Sequence, residues 1–425
     1  MTAKHLLASA AALLWLVPAA GAGRQQPDRW VGTWFAASTA RVDSPAPATP
    51  AGTSGQSLLH FNNQTLRQIV HVTLGGPRIR VVLTNTFGTA GLRIGAASVA
   101  IRDRDAAVDA RSVRPLTFAG AGDVTVPAGA MTTSDPVDLT VPDFADLAID
   151  LYLPGDTAAM SSPITTHPAS WQTNYVSPPG NFTRAPVMPV LATTRYRRGD
   201  GLESSTWFFL TRVEVVAPAP AAAIVTLGDS ITDGTASTID TNQRWPDHLA
   251  RRLAAAGARL AVLNAGIGGN RVLKEGNGPS ALARFDRDVL TQPGVGAVIV
   301  LEGINDIGQA RGNPVPKAAD LIAAHTQMID HAHASGLRIY GATLTPFEGA
   351  SYWTAEGEAK RQQLNEWIRG GKRYDGVFDF DAAVRDPSHP ARTQPRYDSG
   401  DHLHLNAAGY EAVASAVDLS RLHGS

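Results

Sequence analysis

The sequence predicts a two-part chain, an all-β region followed by an α/β domain built on one parallel sheet. Three observations carry this. Before about residue 218, short runs alternate apolar and polar residues between Gly, Pro, Asp and Ser, and helical periodicity is nearly absent. After it, continuous apolar runs alternate with stretches of helical spacing. Between them lies the Pro/Ala run "APAPAAA" at 217–223, read as a linker or a tight domain joint.

In the first part, "RQIVHVTL", "GGP" and "RIRVVLTNTFG" read as a hairpin, two period-two runs around a Gly-Gly-Pro turn. "GDVTVPAG", "DPVDLTV", "LAIDLYLPG" and "STWFFLTRVEVVAP" continue the pattern. Many short strands with regular turns predict an N-terminal β-sandwich, jelly-roll-like, over 27–216. "RVDSPAPATPAGTSGQS" is a Pro/Ala/Ser/Gly loop.

In the second part, "AIVTLGDS" has the unbroken apolarity of a strand buried on both faces. "WPDHLARRLAAAG" follows with Trp245, Leu249 and Leu253 at helical spacing and a closing Gly257. The strands "RLAVLNAG", "GAVIVLEG", "LRIYGATLTPF" and "GVFDFDAAV" then alternate with helical stretches, ending in "NAAGYEAVASAVDLS". Five βα units imply one parallel sheet with helices on both faces, over 221–425. Ligands bind such sheets at the carboxyl ends of the strands.

The chain has 425 residues, a formal net charge of −1 and no cysteine. That excludes disulfides, thiolate metal sites and a cysteine nucleophile. The charge balance gives no reason to expect nucleic acid or an anionic membrane as a partner. The N-terminus has Lys4, an apolar run from Leu6 to Ala20 and the small-residue site Ala20-Gly21-Ala22. This is the pattern of a signal peptide over 1–22, cleaved after Ala22, and predicts a secreted or periplasmic protein without stable membrane insertion. The run is shorter than the roughly 20 residues a spanning helix needs.

"VTLGDSITDG" places Ser230 at the carboxyl end of the first parallel strand. A serine nucleophile needs a base, an acid to orient it and donors for the oxyanion. The common elbow G-x-S-x-G is absent, as are H-E-x-x-H and a Walker-A loop. "YDSGDHLHLNAAGY" sets Asp401 three residues before His404, a spacing that lets the carboxylate meet one imidazole nitrogen while the other faces out. The same residues also read as local turn and capping groups, Asn406 included, and His402 competes as the base. "NAGIGGNR" and "EGINDI" end the second and third strands. Their glycines let backbone N–H groups approach a ligand, and Asn305 offers a side-chain N–H₂. Asn305 and Asp306 read equally as caps of the next turn.

"GDSITDG", "NAGIGGNR", "GIND" and "DHLH" stand in the order of the four blocks of the GDSL, or SGNH, hydrolases, which this part of the chain resembles. The resemblance implies an esterase or lipase with a flavodoxin-like three-layer α/β/α fold. It implies Ser230 as nucleophile, His404 as general base and acid, and Asp401 as its orienting acid. It implies an oxyanion hole from the N–H groups of Ser230 and Gly269 and the amide of Asn305, with Gly268 the neighbouring candidate. No metal or organic cofactor is implied. Leu405 departs from the proline common after the histidine.

"WVGTWFAAS", "HFNNQTLRQIVHVTLGG" and "RIRVVLTNTFG" resemble the front module of secreted two-domain GDSL esterases, some of them associated with xylan degradation. This implies removal of acetyl or other short acyl groups from carbohydrate. A lipase or lysophospholipase, and a carbohydrate-binding protein with an inactive hydrolase domain, are the competing readings. Asp229 and Asp233 read as turn and capping groups. Trp30 and Trp34 read as core, with sugar stacking as the alternative. His325, His331 and His333 share no single helix face suited to a metal. Acyl length, sugar and oligomeric state are open.

Overall fold

The computed structural model describes residues 28–41, 60–160, 163–198, 201–309 and 315–422. The predicted signal peptide, and all but the first residue of the Pro/Ala/Ser/Gly loop, lie outside them. Among the described residues no helix is long and apolar enough to cross a membrane.

The strands of the C-terminal half are numbered β1 (Ala222–Gly228), β2 (Leu260–Gly266), β3 (Val295–Leu301), β4 (Arg338–Ala342) and β5 (Gly376–Phe378). All are parallel, in the order 2-1-3-4-5, the flavodoxin-like order. β1 is buried along its whole length, as its unbroken apolar run predicts. The helices are α1 (Ser230–Asp233), α2 (Trp245–Ala255), α3 (Ala281–Phe285), α4 (Ile304–Gly308), α5 (Ala318–Ala334), α6 (Ala355–Gly370), α7 (Phe380–Val384) and α8 (Ala407–Ser415). α2 packs against α8 and β2, and α5 against α6 and β4; the right-handed rule for parallel crossovers sets these two groups on opposite faces of the sheet. The register pairs Gly228 with both Gly266 and Leu301, so three strands end level. The loops after them therefore meet at one edge.

Among the described residues, the regular elements of the N-terminal region are antiparallel strands apart from two short helical turns. One sheet contains Trp30–Phe35, Gly76–Thr84 and Leu210–Val216, and another contains Gln64–His71, Ala96–Arg104, Asp146–Leu153 and Tyr175–Pro179. The expected hairpin of 64–71 and 76–84 does not form, because the two strands belong to different sheets. Residues between them are held apart from a tight turn. Thr73 N–H donates to the Thr33 carbonyl (3.1 Å), and Leu74 N–H donates to the Thr33 hydroxyl (2.8 Å). The chain thus crosses from one sheet to the other at Gly75, where a Cβ would lie 2.2 Å from the Val141 carbonyl oxygen.

The joint at 217–221 is tight, and the two halves pack against each other. β2 is an edge strand, and an unpaired edge invites association. The N-terminal region covers it. Val262 N–H donates to the Thr73 hydroxyl (3.0 Å), and Gly32 N–H donates to the Pro293 carbonyl (2.9 Å). A Cβ on Gly32 would meet Leu263 at 2.9 Å. One apolar cluster runs through both halves, from Val81 and Val213 to Ile224 and Val298.

A shared core and a covered edge predict cooperative unfolding of the two halves. Calorimetry of the full chain is expected to give one transition. Two separated transitions would contradict it.

Candidate active site

Ser230 sits where β1 turns into α1. Gly228 is required there, since a Cβ would meet Thr232 Oγ1 at 2.2 Å and the Leu301 carbonyl at 2.6 Å. Asp229 caps α1 by accepting from Ile231 N–H (2.9 Å), as the sequence reading expects. Gly234, at φ 96°, ends the turn. Ser230 is thereby the first residue of a helical turn, and its N–H makes no hydrogen bond among the described residues.

The loop before α8 delivers the histidine. His404 Nε2 lies 2.9 Å from Ser230 Oγ, and its Nδ1 lies 2.5 Å from Asp401 Oδ2. Asp401 is held in turn by its other oxygen, which accepts from His404 N–H (2.8 Å), Leu403 N–H (2.9 Å) and the Ser399 hydroxyl (3.1 Å). Burial opposes its charge, but the hydrogen bond and electrostatic attraction of the His404 ring, with the backbone donors, hold it well below the usual carboxylate range. The local turn and the imidazole contact are thus the work of one carboxylate. Asn406 caps α8, accepting from Gly409 N–H (3.0 Å). His402 pairs instead with Asp398 at 2.6 Å, at the exposed rim.

Gly266, Gly268, Gly269 and Asn270 form the second edge. A Cβ on Gly266 would lie 2.2 Å from Asp233 N, so only glycine lets β2 end against α1. Gly268 N–H donates to Asp233 Oδ2 (3.0 Å) and is thereby spent. Gly269, at φ 74°, makes no hydrogen bond through its N–H among the described residues. Asn305, on α4, has its amide orientation fixed. Its Oδ1 accepts from Gln309 Nε2 (3.0 Å) and the Tyr352 hydroxyl (3.3 Å), while Nδ2 donates to the Asn270 carbonyl (3.0 Å). One Nδ2 proton is left over. Asp306 accepts from Val272 and Leu273 N–H (2.8 and 3.0 Å) and is held above its ordinary range by burial. Neither Asn305 nor Asp306 caps α4. Both brace the 270–273 segment, because they sit inside the turn rather than before it.

Two further buried residues hold the site together. Arg284 on α3 is fully buried. It donates to the carbonyls of Gly228 (3.0 Å) and Ala265 (2.6 Å) and to Asn270 Oδ1 (3.0 Å), with Asp288 as counter-ion at 3.1 Å. A lone arginine in an amphipathic stretch gives no sequence signal for this. Asp233 is not the turn or capping group its sequence position suggests. It is buried and joins Gly268 N–H to His167 of the N-terminal region.

Ser230, Gly268, Gly269, Asn305, Asp401 and His404 line one open cleft of about 950 Å³. The N-terminal region forms part of its wall through Thr39, Arg41, Thr166, Pro168, Tyr196 and Arg198. Trp30 lies under Arg80 and Trp34 packs edge-on against Trp207, so neither lines the cleft. His325, His331 and His333 have separate partners, Tyr374, Asp286 and Asp375. Burial pushes the His325 ring down to about 4.

Residues 226–412 match the model of the GDSL-like Lipase/Acylhydrolase family. The C-terminal half is a GDSL-like acylhydrolase domain. The GDSL domain is a carboxylic ester hydrolase. The solved structures similar to it include a putative lipolytic protein of the G-D-S-L family from Desulfitobacterium hafniense (21% identity, 46% of this chain and 97% of that one, TM-score 0.37). They include an aryl esterase from M. smegmatis (17%, 46% and 96%, 0.38) and a carbohydrate acetylesterase from Sinorhizobium meliloti (14%, 46% and 95%, 0.37). No curated protein matches the chain.

Beneath Ser230 the GDSL domain buries a carboxyl pair. Glu302 is fully buried beside Asp229 and Asp306. Burial first, then the negative charge of Asp229, pushes its carboxyl well above the usual range. Burial likewise raises Asp229, to about 6. A carboxyl raised by folding holds its proton more tightly when native. Stability from this source is therefore complete below the ordinary carboxylate range and is lost as pH rises through the raised value. Glu302→Gln is expected to raise Tm at pH 8 by about 2 °C or more, and to change it little at pH 5. An equal change at both pH values would contradict this.

Proposed function

We propose that the protein is a serine esterase that removes acetyl or other short acyl groups from carbohydrate through an acyl-enzyme. The observation that carries the substrate reading is the lining of the cleft. Among the described residues it presents Thr, Arg, Asn, Gln, Ser, Tyr and His side chains, and Leu403 is its one large aliphatic residue. A long acyl chain needs a continuous apolar groove; a sugar needs hydrogen-bonding groups and leaves the acyl end a small space. The N-terminal segment read as an export signal agrees with a polymer substrate outside the cell.

In this reading Ser230 Oγ attacks the ester carbonyl as His404 Nε2 accepts its proton. Asp401 holds the ring with Nδ1–H toward its carboxylate and stabilises the imidazolium. The oxyanion receives the N–H of Ser230, the N–H of Gly269 and the remaining Nδ2 proton of Asn305. The imidazolium then protonates the departing alcohol, and water repeats the sequence on the acyl-enzyme.

Ser230→Ala and His404→Ala are each expected to lower kcat on p-nitrophenyl acetate by at least about 10³-fold. Wild-type turnover by either variant sinks the assignment. Asn305→Ala is expected to lower kcat by about 10²–10³; a change in KM alone would make Asn305 a binding residue instead. Against p-nitrophenyl esters of rising chain length, kcat/KM is expected to be highest at acetate, and acetylated xylan to release acetate. A maximum at long acyl chains or activity on lysophospholipid would favour a lipase.

A further inference from the structure

Besides lining the cleft, the N-terminal region reaches the catalytic machinery through a buried contact at His167. His167 lies on the strand Ile164–Pro168, which is paired with Thr39–Arg41 and Thr206–Phe208. It is 4% exposed, and its ring lies 5.6 Å from that of Trp207. His167 Nδ1 is 2.8 Å from the Ala37 carbonyl oxygen. A carbonyl only accepts, so Nδ1 carries a proton. Nε2 is then left for Asp233 Oδ1, at 3.2 Å.

Asp233 is 1% exposed, and its second oxygen takes Gly268 N–H at 3.0 Å. The chain of contacts therefore runs from an N-terminal strand, through a buried carboxyl, to the backbone one residue before Gly269. It has a geometric consequence. Fixing Gly268 N–H fixes the peptide that precedes the Gly269 donor.

We propose that His167 is a positioning residue for the esterase reaction, holding the Gly268–Gly269 backbone through Asp233, so that the N-terminal region completes the oxyanion site. This rests on the serine-esterase reading above. It makes the N-terminal region a part of the active site and not only an attachment module.

The test uses the full chain and p-nitrophenyl acetate, with folding checked by circular dichroism and Tm. His167→Phe keeps a ring against Trp207 and removes both nitrogens. It is expected to lower kcat by about 10–10²-fold, less than loss of an oxyanion donor outright, with KM within threefold. His167→Gln, which keeps a donor toward Asp233, is expected to recover kcat to within about threefold of wild type. Asp233→Asn keeps an acceptor for Gly268 and offers an N–H to His167, so it is expected to stay near wild type, while Asp233→Ala falls as His167→Phe does. The double variant of His167→Phe and Asp233→Ala is expected to be no worse than the poorer single variant, as for residues acting through one path. Full activity in both His167→Phe and Asp233→Ala, or fully additive losses, overturns the proposal. Should His167→Phe not fold, the Asp233 pair decides. Equal loss in Asp233→Asn and Asp233→Ala, or none in either, counts against it. Failure of the esterase reading itself shows separately, as full turnover by Ser230→Ala.

Discussion

The site depends on one buried guanidinium. Arg284 binds the Gly228 carbonyl that ends β1, the Ala265 carbonyl near the end of β2 and the side chain of Asn270, with Asp288 as its counter-ion. A buried arginine is tolerated only when its donors and its charge are matched, and here both are. Its fork locks two strand ends and the loop after β2 into one relative position. Ser230, Gly269 and Asn305 all hang from that clamp. Nucleophile and oxyanion donors must hold their spacing to a fraction of an ångström, and rigid strand ends supply this better than free loops.

The histidine loop is built on a different principle. Its order is local, set by one carboxylate that accepts from three nearby donors while receiving the imidazole. The carboxylate that shapes the turn thus also orients the base. A turn of that kind reaches across to the strand edge from the far end of the chain, and the contact at Ser230 Oγ joins residues 174 positions apart. The raised carboxyls at Asp229 and Glu302 lie beneath this edge, in a pocket dry enough to favour their neutral forms.

The two halves are interdependent. The N-terminal region covers the edge strand β2, shares its core with the parallel sheet, and forms one wall of the cleft. A sequence boundary at a Pro/Ala run reads either as a linker or as a tight joint. The structure makes it a corner between packed surfaces, because the apolar faces on either side are each completed by the other.

What the sequence determined by itself is local and periodic. The parallel sheet follows from unbroken apolar strands alternating with amphipathic helices. The positions of Ser230 and Asn305 after strand ends follow from that sheet, and those of His404 and Asp401 from their spacing in the loop before the last helix. The sequence could not choose between sheets for 64–71 and 76–84, because alternation specifies a strand but not its neighbour. Nor could it show that Gly268 N–H is spent on Asp233, that Arg284 clamps the strand ends, or that His167 reaches Asp233 from 66 residues away. Those are long-range pairings of buried polar groups. Each is decided by which surfaces come together, and a buried polar group takes whatever partner the packing brings within reach.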